Sequence, residues 1–185
     1  MDYREELARC VKILKEGGII LYPTDTIWGL GCDATNEAAV SKIFKLKQRE
    51  EQKSMIILVS KIDDIKNYSQ TPSDKIKNLI TTAEKPLTII YPSAKNIATN
   101  LIAEDGSTAI RIVRNEFCEA LINLFGRPIV STSANISGNE SPKNYKDISP
   151  AILEGVNYRR NDIKMLSSSK ILHWKSDDEI IVIRN

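Results

Sequence analysis

Short apolar runs of strand length alternate along this chain with amphipathic stretches of helical length, and that alternation narrows the fold more than any other feature. Residues 3–16 carry Leu7, Cys10, Val11 and Leu14 at helical spacing, and Gly17-Gly18 stops them. The buried-strand run Ile19–Tyr22 comes at once after them and is closed by Pro23. Asn36 is placed to cap a second helix whose apolar face is Ala39, Val40, Ile43 and Phe44. A strand from Met55 to Val59 comes next, then a helix opened by Thr71-Pro72 with proline at its first position. Strands Leu87–Tyr91 and Ala109–Val113, a helix from Asn115 to Phe125 stopped by Gly126, and strand Pro128–Ser131 continue the series. Two final strands, Ile171–Trp174 and Glu179–Ile183, flank the turn-rich Lys175–Asp178 and read as a hairpin. About seven strands among helices predict an α/β fold with a mixed sheet, in one domain over residues 1–185.

Composition removes several classes. No apolar run approaches the roughly 20 residues needed to span a bilayer, and the charged start MDYREELARC lacks a signal-peptide pattern. Cys10, Cys32 and Cys118 are widely spaced, and His173 is the sole histidine, so neither a disulfide framework nor a Cys/His zinc site is expected. A cytoplasmic protein is the expectation. A net charge of +2 is too small to indicate nucleic-acid binding by itself, so an anion site must come from local clustering.

Loops leaving strand ends are where an α/β sheet usually binds ligands. The first, Pro23 to Gly31, gathers Thr24, Asp25, Thr26, Trp28 and two glycines. It reads either as a ligand loop or as a turn in which Thr and Asp satisfy local backbone groups. It has no third glycine for a dinucleotide fingerprint, and the chain contains no P-loop. The second, Ser131 to Gly138, places Ser131, Ser133 and Asn135 on one face if extended. A charged stretch, Lys45 to Lys53, ends the second helix. At about 100° per residue, Lys47 and Arg49 would point roughly 200° apart on a continuing helix. If the helix breaks near Lys47, both cations face one side, and Lys47, Arg49, Lys53, Ser133 and Asn135 become a split cluster suited to a polyanion. Arg111 lies inside an apolar strand, facing either solvent or an anion in a cleft. Asp25 is the one acidic residue of these loops, so no protein-built metal site is expected.

Taken together, Tyr22-Pro-Thr-Asp-Thr-Ile-Trp-Gly-Leu-Gly31, Lys47-x-Arg49 with Lys53, Gly106-Ser-Thr-Ala-Ile-Arg111 and Thr132-Ser-Ala-Asn-Ile-Ser-Gly138 resemble the YrdC/TsaC family. The order and spacing match over essentially the whole chain. The resemblance implies a twisted mixed sheet with a concave basic pocket, and threonylcarbamoyl-AMP synthase activity from L-threonine, bicarbonate and ATP. It implies threonine contacts at Thr26, Arg111, Ser131 and Ser169, and ATP contacts at Arg49, Lys53, Ser107, Ser133, Ser141 and Arg184. Lys47 and Asn135 complete a K-x-R/S-x-N set with Arg49 and Ser133, read here as catalytic. Mg²⁺ would travel on the ATP phosphates, and the product would pass to tRNA threonylcarbamoyl-transfer proteins. The chain departs from the pattern at Gln48, Glu50 and Ser54, where the family has Gly, Pro and Pro. Two alternatives are an RNA-binding or ribosome-maturation protein and an inactive paralogue. The polar segment Asn139–Asp147 reads as a lid.

Overall fold

The computed structural model describes residues 2–49, 55–160 and 168–185. Helix α1 (Tyr3–Lys15) buries Leu7, Cys10, Val11 and Leu14, and Gly17 at φ 69° turns the chain out of it. Helix α2 (Glu37–Lys47) is capped by Asn36, whose side chain accepts from the Ala39 N–H at 3.0 Å. Helix α4 (Glu116–Phe125) starts under the Asn115 cap and ends at Gly126. The proline expectation fails for α3 (Asp74–Thr82). Ser73 is its N-cap, accepting from the Ile76 N–H, and Pro72 lies outside the helix. A cap needs an acceptor side chain on extended backbone, which Ser73 supplies and proline does not. The pattern of capping serine and first-position proline occurs instead in α5 (Pro150–Glu154), after Ser149.

Nine strands, two more than the periodicity predicts, form one mixed sheet among the described residues. They are β1 (Ile20–Pro23), β2 (Trp28–Gly31), β3 (Ile56–Val59), β4 (Leu87–Tyr91), β5 (Thr108–Ile112), β6 (Ile129–Ser133), β7 (Tyr158–Arg159), β8 (Lys170–Trp174) and β9 (Ile180–Arg184). Their order is β7-β1-β2-β6-β3-β5-β4-β8-β9. Only β1–β7, β3–β5 and β4–β8 are parallel pairs, and β8–β9 is the expected terminal hairpin. The additions are β7 and β2, the latter hidden in the stretch Pro23–Gly31 that reads as loop. The loop proper is the four-residue connection Thr24–Ile27 of a β1–β2 hairpin.

The two faces are covered unequally. On one, Leu21, Leu30, Ile57, Val59, Ile110 and Val130 pack with α2, with Ile76 of α3 and with Ile152 of α5. On the other, Ile20, Tyr22, Leu58 and Ile129 pack against α1 and α4. That second layer reaches only part of its face. Ile56 pairs with both Ala109 and Ser131, so by alternation Ser107, Arg111 and Ser133 share this side of the sheet. A cavity opens there, and none of the described residues that line it belongs to a helix.

Gly31 lies where β2 crowds its neighbours. A Cβ there would sit 2.6 Å from Tyr22 Cε1 and 2.8 Å from the Val130 carbonyl oxygen. Gly31→Ala is expected to destabilise the fold by about 2–3 kcal/mol, because backbone cannot yield as a flexible side chain does. An unshifted denaturant midpoint would contradict this. No described helix is long and apolar enough to cross a membrane.

Candidate active site

The cavity measures about 210 Å³. Its walls come from the β1–β2 loop (Thr26, Ile27), the end of β6 (Ser131, Thr132, Ser133) and the start of β3 (Met55, Ile56). Arg49, Arg111, Ser141 and the β8–β9 hairpin (Ser169, Ile171, Arg184) close it. Elements distant in sequence thus supply hydroxyls and three arginines to one space.

Arg111 is the most constrained of these. It is carried on β5, 3% exposed, with Asp25 Oδ1 3.1 Å from its Nη2. The second Asp25 oxygen accepts from the Arg114 N–H at 3.2 Å. Opposite charges this close offset much of each other's desolvation. Yet Arg111 Nε and Nη2 hydrogen-bond no acceptor among the described residues. A buried guanidinium with undirected donors beside a cavity is suited to a bidentate carboxylate.

Thr26 adds a directed acceptor. Thr24 Oγ1 donates to the Ile27 carbonyl at 2.9 Å and lies 2.8 Å from Thr26 Oγ1. A hydroxyl has one proton to give, so in the Thr24–Thr26 contact Thr26 is the donor. The remaining capacity of Thr26 Oγ1 is for accepting, which fits an amino or hydroxyl group of a ligand.

The hairpin side is built around Ser169. Its Oγ is 2.9 Å from Thr88 Oγ1, and its carbonyl accepts from Arg184 Nε at 2.9 Å and Nη2 at 2.8 Å. Burial, and then the Arg111 charge, hold the Arg184 pKa below its ordinary value; burial does the same for Arg49. Cations that burial makes costly to keep charged gain most from an incoming anion.

Helix α2 does end at Lys47, with Gln48 in the left-handed region at φ 50°. Contrary to expectation, Lys47 and Arg49 do not face one ligand. Arg49 lines the cavity, whereas Lys47 is 1% exposed and donates to the main-chain carbonyls of Ser133 and Asn135, the latter at 2.7 Å. Its own carbonyl accepts from the Ser137 N–H at 2.8 Å. Lys47 therefore ties the end of α2 to the β6 loop and is absent from the cavity wall. Asn135 is a second correction. Its amide donates to the Asn139 and Ile136 carbonyls at 2.6 and 3.0 Å, folding back on its own loop and not lining the cavity. A four-carbon ammonium chain reaches carbonyls that a helix terminus brings close, and a short amide satisfies its nearest turn.

Gln48 also carries the cost of its conformation. Left-handed backbone costs a non-glycine residue roughly 1–2 kcal/mol, part of which glycine returns through its freer unfolded chain. Gln48→Gly is expected to raise stability by up to about 1 kcal/mol in a thermal or denaturant melt. A loss of stability would show that the Gln48 side chain makes a compensating contact.

The structure brings Thr26, Arg49, Arg111, Ser131, Ser133, Ser141, Ser169 and Arg184 together around the cavity. Ser107 is on the same sheet face but not in the cavity wall. It is buried, and its N–H donates to Asp105 at 3.0 Å. Lys53, Glu50 and Ser54 lie outside the described residues. Sequence reasoning passed over Asp25 as an arginine partner and Thr88 altogether. Thr88 is a polar residue inside the apolar run Leu87–Tyr91, the same signal that singled out Arg111. Within the expected lid, Ser141 faces the cavity and the Tyr145 ring meets Trp28 edge-on at 5.6 Å.

Comparison with known proteins returns consistent relatives. The Sua5_yciO_yrdC family, described as "Telomere recombination", matches residues 12–185. The threonylcarbamoyl-AMP synthase of Pseudoalteromonas translucida is 30% identical over 161 residues, covering 85% of this chain and 86% of its own. The synthase of Psychromonas ingrahamii is 36% identical over 141 residues, covering 75% and 74%. Among solved structures, P. abyssi Sua5 complexed with L-threonine matches with a TM-score of 0.90 at 22% identity. That match covers 100% of this chain and 54% of Sua5, so the chain spans about half the length of that protein. E. coli YciO matches with a TM-score of 0.86 at 21% identity, covering 100% and 90%. At such identities the structural likenesses speak for the fold.

Proposed function

The chain belongs to the Sua5/YciO/YrdC family, and from that premise we propose that it is an L-threonylcarbamoyladenylate synthase, a nucleotidyltransferase acting in the cytoplasm as one domain. It joins L-threonine, bicarbonate and ATP into threonylcarbamoyl-AMP with release of pyrophosphate. The observation that carries the reading is Arg111: a buried guanidinium whose Nε and Nη2 make no hydrogen bond among the described residues, Nη2 being held by Asp25 as an ion pair alone, beside a cavity rich in hydroxyls and arginines. The names of the relatives agree with it.

The chemistry suits such a site. The threonine amine and bicarbonate give a carbamate with loss of water. A carbamate oxygen then attacks the α-phosphorus of ATP, and the bond to the bridging oxygen of pyrophosphate breaks. The nucleophile is already anionic, so the step needs positioning and charge neutralisation more than a general base. Arg111 receives the threonine carboxylate, and Thr26 Oγ1 accepts from the amino or hydroxyl group. Ser131 and Ser169 complete that half. Arg49, Lys53, Ser107, Ser133, Ser141 and Arg184 take the ATP. Lys47 and Asn135 act through the loop they hold, as positioning residues.

Among the described residues, no three His, Cys, Asp or Glu side chains converge as a metal site. On this reading Mg²⁺ would arrive as part of the ATP substrate, and would supply charge neutralisation on its phosphates. The product would pass to tRNA threonylcarbamoyl-transfer proteins.

Pyrophosphate release should require ATP, threonine and bicarbonate together. Release that persists without threonine would defeat the synthase reading, and tight RNA binding with no turnover would favour a binding protein instead. Arg49→Ala is expected to lose at least tenfold in activity, a barrier rise of about 1.4 kcal/mol. Turnover like the wild type would remove Arg49 from the site.

A further inference from the structure

Arg49, Arg111 and Arg184 line the cavity, and among the described residues no carboxylate does. Two of these arginines are backed by different chemistry. Arg184 is held by neutral oxygens, the carbonyl and hydroxyl of Ser169. Arg111 is faced by the Asp25 carboxylate at 3.1 Å, with both side chains more than nine-tenths buried. Asp25 is not part of the wall. It stands behind Arg111, fixed from its other oxygen by the Arg114 N–H.

The pair is balanced in charge but not saturated in hydrogen bonds, because among the described residues Arg111 Nε has no acceptor and Nη2 meets Asp25 as an ion pair out of hydrogen-bond alignment. A ligand can therefore use the guanidinium donors while meeting a site whose charge is already cancelled. A monoanion leaves a local sum of one negative charge, and a phosphate dianion leaves two. In a water-poor site both the repulsion from Asp25 and the cost of desolvating the ligand grow with ligand charge. Among the described residues no carboxylate is paired with Arg184, so no such penalty arises there from them.

We propose that Asp25 is a specificity-determining residue: its negative charge behind Arg111 admits a monoanionic carboxylate to the amino-acid half of the site and turns phosphate groups away toward Arg184 and Arg49. This rests on the reading of Arg111 as the carboxylate receptor. Asp25 acts through Arg111 and takes no part in bond making. It prevents ATP from occupying the amino-acid half in an unproductive orientation, which a site of uncompensated arginines would invite.

The test is a calorimetric titration of L-threonine without ATP, with inorganic phosphate as competitor. Asp25→Asn, nearly isosteric and uncharged, should lower the ratio of the phosphate to the threonine dissociation constant at least tenfold. Asp25→Glu keeps the charge and should keep the wild-type ratio. A simple structural role for Asp25 would weaken both ligands together and leave the ratio where it was. An unchanged ratio in folded Asp25→Asn, or an equal change in Asp25→Glu, overturns the proposal. Should Asp25→Asn fail to fold, the wild type carries the test with the phosphonate analogue of threonine. Its binding should weaken as the phosphonate passes from monoanion to dianion, and equal or tighter binding of the dianion overturns the proposal. A wild type that binds no threonine removes the half-site reading itself, and this inference with it.

Discussion

Arg111→Met is expected to reduce kcat/KM for threonine by a hundredfold or more, and to weaken the fold at the same time. On the proposed reading of Arg111, the first effect comes from losing two charge-assisted hydrogen bonds to a carboxylate, each worth about 1.5–3 kcal/mol. Two such bonds sum to about 3–6 kcal/mol, so a hundredfold loss, about 2.7 kcal/mol, is a floor. The second comes from Asp25, left 8% exposed with no counter-charge. Breaking a buried pair from one side costs roughly 3–5 kcal/mol. The two effects separate in the double variant Arg111→Met/Asp25→Asn. Removing the orphaned charge should recover most of the lost stability and none of the activity. Denaturant midpoints beside steady-state kinetics measure both, and a double variant no more stable than Arg111→Met would show that the pair is not coupled.

Lys47→Met should be nearly as damaging, by a different route. Methionine fills much of the space of the lysine stem but donates nothing, so the Ser133 and Asn135 carbonyls lose their bonds to the Lys47 ammonium. Unsatisfied buried acceptors cost about 1–3 kcal/mol each, about 2–6 kcal/mol for two; these two bonds are part-buried, so a loss in the lower half of that range, about 2–4 kcal/mol, is expected. The β6 loop would also lose its tie to α2, and kcat should fall through the displacement of Ser133. The variant has a signature in pH. Burial, and then the Arg49 charge, pull the Lys47 pKa down to about 7, against about 10.4 for an unfolded lysine. Between those values the unfolded chain binds one proton more than the native protein. Stability therefore rises with pH across this window, by at most about 1.4 kcal/mol per unit, and the gain is lost as pH falls toward 7. Lys47→Met lacks that slope. The wild type and the variant, melted at a series of pH values from 6 to 10, should differ most in slope between pH 7 and 10; parallel curves would rule the titration out.

The large elements were legible because their causes are local. The helices α1, α2 and α4 declare themselves through Leu7, Cys10, Val11 and Leu14, through the Asn36 and Asn115 caps, and through Gly17 and Gly126. The break after Lys47 was legible too, since six polar residues before a strand cannot extend an amphipathic helix. β2 was not. Trp28-Gly-Leu-Gly31 has two glycines and no alternation, and it is a strand because β1 and β6 pair with it on either side. The partners of Lys47 were illegible for a stronger reason. They are main-chain carbonyls 86 and 88 residues away, and a carbonyl has no side-chain signature. Asp25 and Arg111 were each visible, one as a loop acid and one as a misplaced charge, but only the fold shows that each answers the other.

The sheet face that α1 and α4 cover only in part has a consequence for how this protein behaves in the cell. Among the described residues no helix lines that stretch, and on the proposed reading it is the bound substrates that cover it. Ligand that occupies only the native state raises its stability by about 2.7 kcal/mol at a hundred times the dissociation constant. The protein's resistance to heat and proteolysis is then partly a property of its surroundings. Cells short of the molecules that fill the cavity would hold a more perishable enzyme, and abundance would follow supply with no regulator in between.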